Sequence, residues 1–339
     1  MTATENSLLI DTSAATSSRR RGWPWTILRI AGGTLGVLAL LAATGAAYEA
    51  VAGASDAQVY PPAGKMVDVG GNKLHLDCRG EGSPTVILDA GLGASSLDWA
   101  LVQPELADTT RVCSYDRAGM GWSEPGSAPR SPAHIADELH QLLLNGDVPG
   151  PYVLVGHSLA GKNIRLFAKA HPQEVVGMVL VDARSELVES PADMEGFAMA
   201  LEGQATQFSL ARRFGIARLL APRLLGEKLV SDALATAMVL AQTQPNAIAE
   251  TTAEGLARMD DDEALANTNL GTLPLVVVAA GESMRNFPHW PEAQRALSEL
   301  STNGALVVAE TSHHGVHIAQ PNVVIKAVDD VIAAARGAV

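Results

Sequence analysis

The most informative segment of the chain reads Val153-Leu154-Val155-Gly156-His157-Ser158-Leu159-Ala160-Gly161. A hydrophobic strand runs directly into Ser158 and a helix follows at once, which predicts a sharp turn with a strained backbone and an exposed hydroxyl. Gly156 and Ala160 are small enough for the close approach that such a turn requires. At a helix N-terminus, free N–H groups and the helix dipole stabilise negative charge. Taken alone, the segment fits a nucleophilic serine and a serine that only caps a helix equally well.

Short runs rich in β-branched residues recur along the chain and predict eight strands. These runs are Met66–Val69, Lys73–Cys78, Thr85–Leu88, Arg111–Tyr115, Tyr152–Val155, Val175–Val181, Leu275–Ala279 and Ala305–Val308. Helical periodicity predicts amphipathic helices between most of the later runs, at Ala133–Leu144, Leu159–Ala170, Glu292–Leu300 and Val323–Ala335. Because apolar strands alternate with helices, we expect an α/β fold with a mostly parallel sheet covered by helices on both faces.

The region at about 184–270 interrupts this alternation. It mixes Ala, Leu and Met with charged residues and contains no convincing strand, which predicts several helices inserted between the sixth and seventh strands. Such an insertion would form a cap over the strand ends, where ligands bind in open α/β sheets. Its apolar side chains form either the core of the insertion, the more common case, or a surface for a hydrophobic substrate.

Three histidines follow the eighth predicted strand, in the segment Ala309-Glu310-Thr311-Ser312-His313-His314-Gly315-Val316-His317. A nucleophilic serine needs a general base, and in folds of this strand–helix order the histidine comes last in the chain. A histidine cluster in a loop after a strand is more typical of such a site than of a purely structural role.

Composition limits the possible partners. The formal net charge is −13, and beyond the N-terminal region the only basic cluster is the pair Arg212 and Arg213. We therefore expect no nucleic-acid partner, because a phosphate backbone would find few cations to bind. No metal ligand set and no phosphate-binding glycine loop is visible in the sequence, so no cofactor is expected.

The N-terminal region predicts a single-pass membrane anchor. Residues 1–22 form a polar tail that ends in three arginines, and residues 23–48 form an apolar segment in which Ile30–Tyr48 carries no charge. This segment is long enough to cross a bilayer, and its basic flank favours a cytoplasmic N-terminus with the rest of the chain outside.

A cleaved signal peptide, which would yield a secreted protein, is the alternative for this region because residues 42–47 are small. However, the apolar core is longer than the roughly 7 to 15 residues of ordinary signal peptides. Residues 49–64 contain Pro61 and Pro62 and are interpreted as a linker to a globular domain at 65–339.

The two cysteines, Cys78 and Cys113, each lie in a predicted strand. In an exported domain they would be free to pair, whereas in a cytosolic domain they would be buried thiols. The outcome depends on whether the two strands are neighbours.

Several segments resemble the α/β-hydrolase superfamily, and in particular a membrane-associated branch of it. They are Pro61-Pro62-Ala63-Gly64, Gly82-Ser83-Pro84-Thr85-Val86, Arg111-Val112-Cys113-Ser114-Tyr115-Asp116-Arg117-Ala118-Gly119, Pro151-Tyr152-Val153-Leu154-Val155-Gly156-His157-Ser158 and Gln320-Pro321. The resemblance covers nearly everything from about Gly64 to the C-terminus. It implies an α/β-hydrolase fold with an eight-stranded sheet and a helical cap. It also implies a serine hydrolase that cleaves an ester-like bond of a small hydrophobic substrate through an acyl-enzyme on Ser158.

The resemblance also implies roles for particular residues. In similar proteins the catalytic histidine lies seven residues before the proline of a Gln–Pro pair, which selects His314 here. The oxyanion hole follows the third strand, where relatives carry His-Gly-x and this chain has Ala90-Gly91-Leu92-Gly93. The backbone N–H groups of Leu92 and Leu159 are the expected donors.

Family members place the catalytic acid after either the sixth or the seventh strand. The sixth strand ends in Leu180-Val181-Asp182-Ala183, and the seventh leads into Ala280-Gly281-Glu282-Ser283-Met284, which contains no aspartate. Asp182 is therefore the preferred acid and Glu282 the alternative, with the task of orienting His314.

Two further expectations follow from the resemblance. The second and fourth strands are neighbours in the family's sheet, so a Cys78–Cys113 disulfide becomes a hypothesis consistent with an exported domain. The segment around Asp116 and Arg117 is interpreted as a structural turn rather than as a second site. Thioesterase, perhydrolase or lyase chemistry, and a non-catalytic membrane-tethered binding module, stay open as alternatives.

Overall fold

The structure is a computed structural model, in which residues 23–186, 191–224, 230–266 and 268–337 are described. The predicted polar tail at 1–22 and short parts of the predicted cap lie outside these residues. The chain divides into two compact units, Met1–Thr44 and Gly45–Val339. The second unit contains the sheet, its covering helices and the cap.

The second unit is built on one eight-stranded sheet, in the order β1-β2-β4-β3-β5-β6-β7-β8. The strands are β1 (Lys65–Asp68), β2 (Lys73–Arg79), β3 (Thr85–Asp89), β4 (Val112–Tyr115), β5 (Tyr152–His157), β6 (Val175–Val181), β7 (Leu275–Ala280) and β8 (Gly304–Ala309). β2 runs antiparallel to both β1 and β4, and all other neighbours are parallel. The expected eight-stranded, mostly parallel sheet is confirmed, with ends that differ from the predicted ones by one or two residues.

Helices cover both faces of this sheet because its central strands are apolar on both sides. Side chains that point to one face, such as Ile87 and Leu154, form one buried cluster, and their neighbours Val86 and Val153 form another. The helices outside the cap are α3 (Gln103–Ala107), α4 (Pro132–Asn145), α5 (Ala160–Ala170), α11 (Gly281–Asn286), α12 (Trp290–Ser298), α13 (Val316–Ala319) and α14 (Pro321–Gly337), with a 3₁₀ turn at Ser96–Trp99. Helices α4, α5 and α12 pack on the first cluster, and α3 and α14 pack on the second.

The insertion between β6 and β7 is helical. It contains α6 (Pro191–Arg213), α7 (Ile216–Leu224), α8 (Asp232–Gln242), α9 (Pro245–Ala257) and α10 (Asp262–Ala266). Ser231 begins α8 with a side-chain cap on the N–H of Leu234, as helix-start rules expect. The insertion follows the end of β6, so it lies at the edge of the sheet where the carboxyl ends of the parallel strands meet.

The N-terminal helix α1 spans Trp23–Gly53, and its part from Trp25 onward is apolar and long enough to cross a membrane. It continues five residues beyond the predicted end at residue 48, and a short helix α2 (Asp56–Val59) follows. The predicted linker is thus partly helical. Glu49 and Asp56 within it form ion pairs with Arg212 and Arg218 of the cap. These contacts hold the beginning of the second unit against α6 and α7.

The two cysteines occupy directly opposite positions on neighbouring strands. Cys78 of β2 pairs in register with Cys113 of β4, and their sulfur atoms are bonded. A cross-link of this kind removes conformations from the unfolded chain and stabilises a domain by typically about 2–4 kcal/mol.

Candidate active site

The turn after β5 has the strained geometry that its sequence predicts. Ser158 has a φ of 54°, a left-handed conformation that costs a non-glycine residue on the order of 1–2 kcal/mol. Helix α5 begins two residues later, at Ala160. The backbone N–H groups at the start of this helix therefore lie next to the serine hydroxyl.

Glycines next to this turn allow a close approach that a side chain would block. A Cβ atom on Gly156 would lie 2.8 Å from the carbonyl oxygen of Ala160, and one on Gly161 would lie 2.6 Å from the Cβ of Ala183. The first glycine permits the sharp bend, and the second lets α5 pack against the end of β6.

A second strained turn follows β6, the neighbour of β5. Asp182 has a φ of 41°, and its N–H donates to the carbonyl of Val278 at 2.7 Å. Two backbone hydrogen bonds join the two turns: Ser158 N–H to Val181 at 3.0 Å, and Arg184 N–H to Ser158 at 3.0 Å. Asp182 and Ser158 are consequently held beside one another by the backbone itself.

The buried carboxylate of Asp182 accepts hydrogen bonds from several donors. Its Oδ1 accepts from the N–H of Ala280 at 2.9 Å and from the indole N–H of Trp290 at 2.8 Å. Its Oδ2 accepts from the hydroxyl of Ser283 at 2.6 Å and lies 2.7 Å from Nδ1 of His314. This set of partners compensates the carboxylate for the water it has lost and fixes the direction in which it faces His314.

His314 lies in the loop after β8, and its pairing with Asp182 assigns its tautomer. With Nδ1–H donated to the carboxylate, Nε2 carries a lone pair that is available to accept a proton. Nearly half of the His314 side chain (47%) is exposed, whereas Asp182 is fully buried. The other candidate acid, Glu282, has an exposed side chain. Among the described residues, its hydrogen bond runs from its backbone N–H to the carbonyl of Ser312, and none joins its side chain to His314.

The other two histidines of the loop take different positions. The ring of His313 accepts a hydrogen bond from the N–H of Gly315 at 3.0 Å, so it folds back on its own loop. His317 is buried and stacks on Trp99, with ring centroids 4.7 Å apart.

His157, next to the candidate nucleophile, connects the turn after β5 to the histidine loop. Its Nε2 lies 3.0 Å from the carbonyl oxygen of His314, and its ring centroid is 4.6 Å from that of His314 and 4.4 Å from that of His317. Burial, followed by the neighbouring His317 and His314 rings, lowers the pKa of His157 well below its usual value. A neutral His157 therefore donates its Nε2–H to the loop that carries His314.

The loop after β3, which carries one expected oxyanion donor, packs against the same turn. A Cβ on Gly91 would lie 2.7 Å from Nδ1 of His157 and 3.4 Å from the Cβ of Ser158, so only glycine fits there. This contact brings the residues before and after Gly91, including Leu92, to the serine. The other expected donor, Leu159, follows the serine directly.

Arg117 holds this loop in place and was interpreted from the sequence only as part of a local turn. Its guanidinium is buried and donates to the carbonyl oxygens of Ala90 and Gly91 and to the carboxylate of Asp89. It also forms a two-point pair with Glu254 of the cap helix α9, with Nε–Oε1 and Nη2–Oε2 distances of 3.0 Å. The arginine therefore links the sheet, the loop and the cap. Burial alone would lower its pKa, but the carboxylates of Glu254 and Asp89 raise it overall.

Two cavities lie next to these residues. One of about 540 Å³ is bordered by His314 and the segment after β7. Its lining comprises Arg184, Ser283, Phe287, Pro288, His289, Trp290 and His314. A smaller one of about 160 Å³ lies between the loop at Leu92 and Gly93 and the cap helices α6, α8 and α9. His314 thus borders the first cavity, and Leu92 borders the second.

A family profile described as "Alpha/beta hydrolase family" matches residues 86–327. The chain belongs to this family. The match spans most of the chain, from β3 into α14, and includes the cap.

Individual proteins are similar to this chain over different shares of its length. An uncharacterized protein of Schizosaccharomyces pombe is 29% identical over 233 residues, which are 63% of this chain but only 40% of that relative. The structure of a thermophilic esterase from Thermogutta terrifontis superposes with a TM-score of 0.63 at 22% identity, covering 80% of this chain and 98% of the other. The epoxide hydrolase CorEH gives a TM-score of 0.64 at 20% identity, covering 79% and 98%. At these identities the structural likeness concerns the fold.

Three of the residues around the site were not found from the sequence. Ser283 and Trp290 bind the carboxylate of Asp182, and Arg117 binds the loop after β3. Ser283 lies in the segment after the seventh strand, one of the two places where family members carry the acid. Its position in the sequence therefore indicates that it lies near the candidate site. Nothing in the local sequence of Trp290 indicates its partner 108 residues away, and nothing in that of Arg117 indicates its partners Gly91 and Glu254, 26 and 137 residues away.

We expect a His317→Phe variant to lose less stability than the unsubstituted protein as the pH falls from 6.5 to 4. Burial, together with the nearby His314, lowers the pKa of His317 to about 3. Below about pH 6.5 the unfolded chain therefore binds a proton that the folded chain does not, and stability falls by up to about 1.4 kcal/mol per pH unit. Phenylalanine removes this contribution and keeps an aromatic ring against Trp99.

The measurement is the free energy of unfolding by urea at several pH values. Above pH 7.5 the curves of the two proteins should run parallel, because both the folded and the unfolded forms of His317 are neutral there. Equal slopes between pH 4 and 6.5 would show that His317 takes up a proton in the folded protein.

Proposed function

We propose that the protein is a serine hydrolase that cleaves an ester-like bond. The observation that carries the proposal is the strained Ser158 at a helix start, joined by backbone hydrogen bonds to the turn of Asp182, whose carboxylate holds Nδ1 of His314. Nucleophile, base and orienting acid in this relation are the constellation of acyl-transfer enzymes. Membership of the α/β-hydrolase family supports a hydrolase; the ester-like bond is our finer inference.

The chemistry would run in two steps. The Oγ of Ser158 attacks the carbonyl carbon while Nε2 of His314 takes the hydroxyl proton, and the N–H groups of Leu92 and Leu159 bind the oxyanion. Collapse expels the alcohol, which receives the proton from His314 and leaves an acyl-serine. Water then gives a proton to His314 and attacks the acyl carbon. The bond between this carbon and Oγ of Ser158 breaks, Oγ takes the proton back from His314, and the acid is released. Asp182 stabilises the imidazolium in both steps.

A small, largely hydrophobic substrate fits the surroundings best. The larger cavity is bordered by Phe287, Pro288 and Trp290, and its volume of about 540 Å³ lies within the range of small-molecule sites. Among the described residues that line it, Arg184 carries a permanent positive charge. We expect it to bind a polar or anionic part of the substrate.

We also propose that α1 anchors the protein in a membrane, with the hydrolase domain on the extracytoplasmic side. Support comes from the length and apolarity of the helix, from the arginines that precede it, and from the disulfide, which is stable in oxidising compartments. A secreted form, produced by cleavage near residues 42–47, is the alternative.

A fluorophosphonate probe tests the nucleophile. We expect one equivalent of covalent label on the peptide that contains Ser158, together with loss of activity toward p-nitrophenyl esters. Ser158→Ala and His314→Ala should abolish both, whereas the matched variant His313→Ala should retain them because the ring of His313 accepts from Gly315 of its own loop and does not hold Asp182. A folded protein that takes up no label would favour the non-catalytic binding module, and a label on another serine would overturn the assignment.

Paired carboxamide variants test the acid. Asp182→Asn should lower kcat by about 10³–10⁴-fold, because an amide cannot accept the Nδ1–H of His314 in the same way and favours the wrong tautomer. Glu282→Gln should stay within about twofold of the unsubstituted enzyme, since that side chain is exposed. The reverse pattern, measured on proteins with matching thermal unfolding curves, would transfer the role to Glu282.

Fractionation of cells that express the full chain tests the anchor. We expect the protein in the membrane pellet after an alkaline carbonate wash, with its N-terminal residues retained by mass spectrometry, because a spanning helix resists extraction. A soluble protein whose sequence begins after residue 42 would instead establish signal cleavage.

A further inference from the structure

Two histidines and a glutamate lie close together near the amino ends of β5 and β6, at the end of these strands opposite to Ser158. His140 lies on α4, His171 ends α5 and Glu174 precedes β6. One oxygen of Glu174, Oε1, lies 3.1 Å from Nε2 of His140 and 3.7 Å from Nδ1 of His171. The candidate ligand atoms of all three residues lie within 4.8 Å of one another.

From this juxtaposition we propose that His140, His171 and Glu174 form a binding site for one divalent transition-metal ion of the zinc class. Two imidazole nitrogens and one carboxylate oxygen are a ligand set that Zn²⁺ and its first-row neighbours prefer, whereas Mg²⁺ and Ca²⁺ prefer oxygen ligands. Zn–ligand bonds of about 2.1 Å at tetrahedral angles place neighbouring ligand atoms about 3.4 Å apart. The two distances to Glu174 bracket this value.

The backbone holds the three ligands in place. The N–H of Glu174 donates to the carbonyl of His171 at 3.0 Å, and the carbonyl of Glu174 accepts from the N–H of Tyr152 at 2.7 Å. Pro172 restricts the short connection between the two ligands. The side chains do not depend on a long flexible loop, which lowers the entropic cost of binding an ion.

The two imidazole rings lie face to face and have to rotate apart to bind one ion, because each nitrogen lone pair lies in the plane of its own ring. They stack with centroids 3.6 Å apart and an interplanar angle of 14°, over the buried ring of Phe167. Two imidazolium ions in this position would repel one another. On binding, the metal replaces the proton that lies between Nε2 of His140 and Glu174. This proton moves to the other nitrogen of the His140 ring.

The site is separate from the candidate active site. Glu174 bonds to the first residue of β5 and Ser158 follows the last, and the six residues of this strand span roughly 17 Å. An ion there would not touch the substrate. It would join α4, the end of α5 and the start of β6, and thereby stabilise the folded protein.

The experiment uses the untagged full chain after chelator treatment. Zn²⁺ is titrated by calorimetry, Co²⁺ by its visible ligand-field absorption, and thermal unfolding is followed with and without Zn²⁺. We expect one high-affinity equivalent and a higher Tm, because a free metal concentration of about 100 times the Kd shifts the unfolding equilibrium about 100-fold. Mg²⁺ should produce no such shift.

His140→Ala, His171→Ala and Glu174→Gln should each weaken Zn²⁺ binding at least tenfold and remove the Co²⁺ spectrum. The matched control is His134→Ala. It removes a histidine that lies on the same helix and that is also next to a carboxylate, that of Glu138, and this variant should bind Zn²⁺ like the unsubstituted protein. Circular dichroism without metal shows whether each variant folds. Absence of saturable binding, or binding that survives in both His140→Ala and His171→Ala, would overturn the proposal.

Discussion

The two left-handed turns at the carboxyl ends of β5 and β6 are the constraint on which the candidate site depends. Neither Ser158 nor Asp182 is a glycine, so each conformation is unfavourable by itself and persists only because its surroundings hold it. Parallel pairing of the two strands places the turns side by side, and backbone hydrogen bonds join them. The register of the sheet thus fixes the distance between the candidate nucleophile and the candidate acid, and His314 only has to reach a carboxylate whose position is already determined.

Arg117 constrains the loop after β3 in a comparable way. A buried guanidinium needs several acceptors, and here they come from Asp89, from the loop that carries Leu92 and from Glu254 of the cap. Breaking one of these contacts would leave charge unpaired in a buried position. The positions of the loop, the sheet and α9 therefore all depend on the same buried guanidinium, although α9 is far from the other two in sequence.

Much of the fold could be predicted because strands and helices are encoded locally. Eight apolar runs gave eight strands, and the Gly156–Gly161 segment gave the strained turn. The candidate base and acid required more than local patterns: His314 was selected through the family's Gln–Pro spacing, and Asp182 through the end of β6. The indole of Trp290, the contacts of Arg117 and the cluster of His140, His171 and Glu174 were not predictable from spacing, because each depends on which distant elements pack together.

The cap is fastened to the rest of the second unit in at least two places. Glu254 of α9 is paired with Arg117, and Arg212 and Arg218 of α6 and α7 are paired with Glu49 and Asp56. The larger cavity, in contrast, is bordered mainly by the segment from Ser283 to Trp290, which belongs to no cap helix. Phe287 of this segment is exposed to solvent, and the segment takes no part in the ion pairs that fasten the cap. We therefore expect related proteins that accept different compounds to differ in sequence mainly in this short segment. Changes there leave the ion pairs that anchor the cap undisturbed.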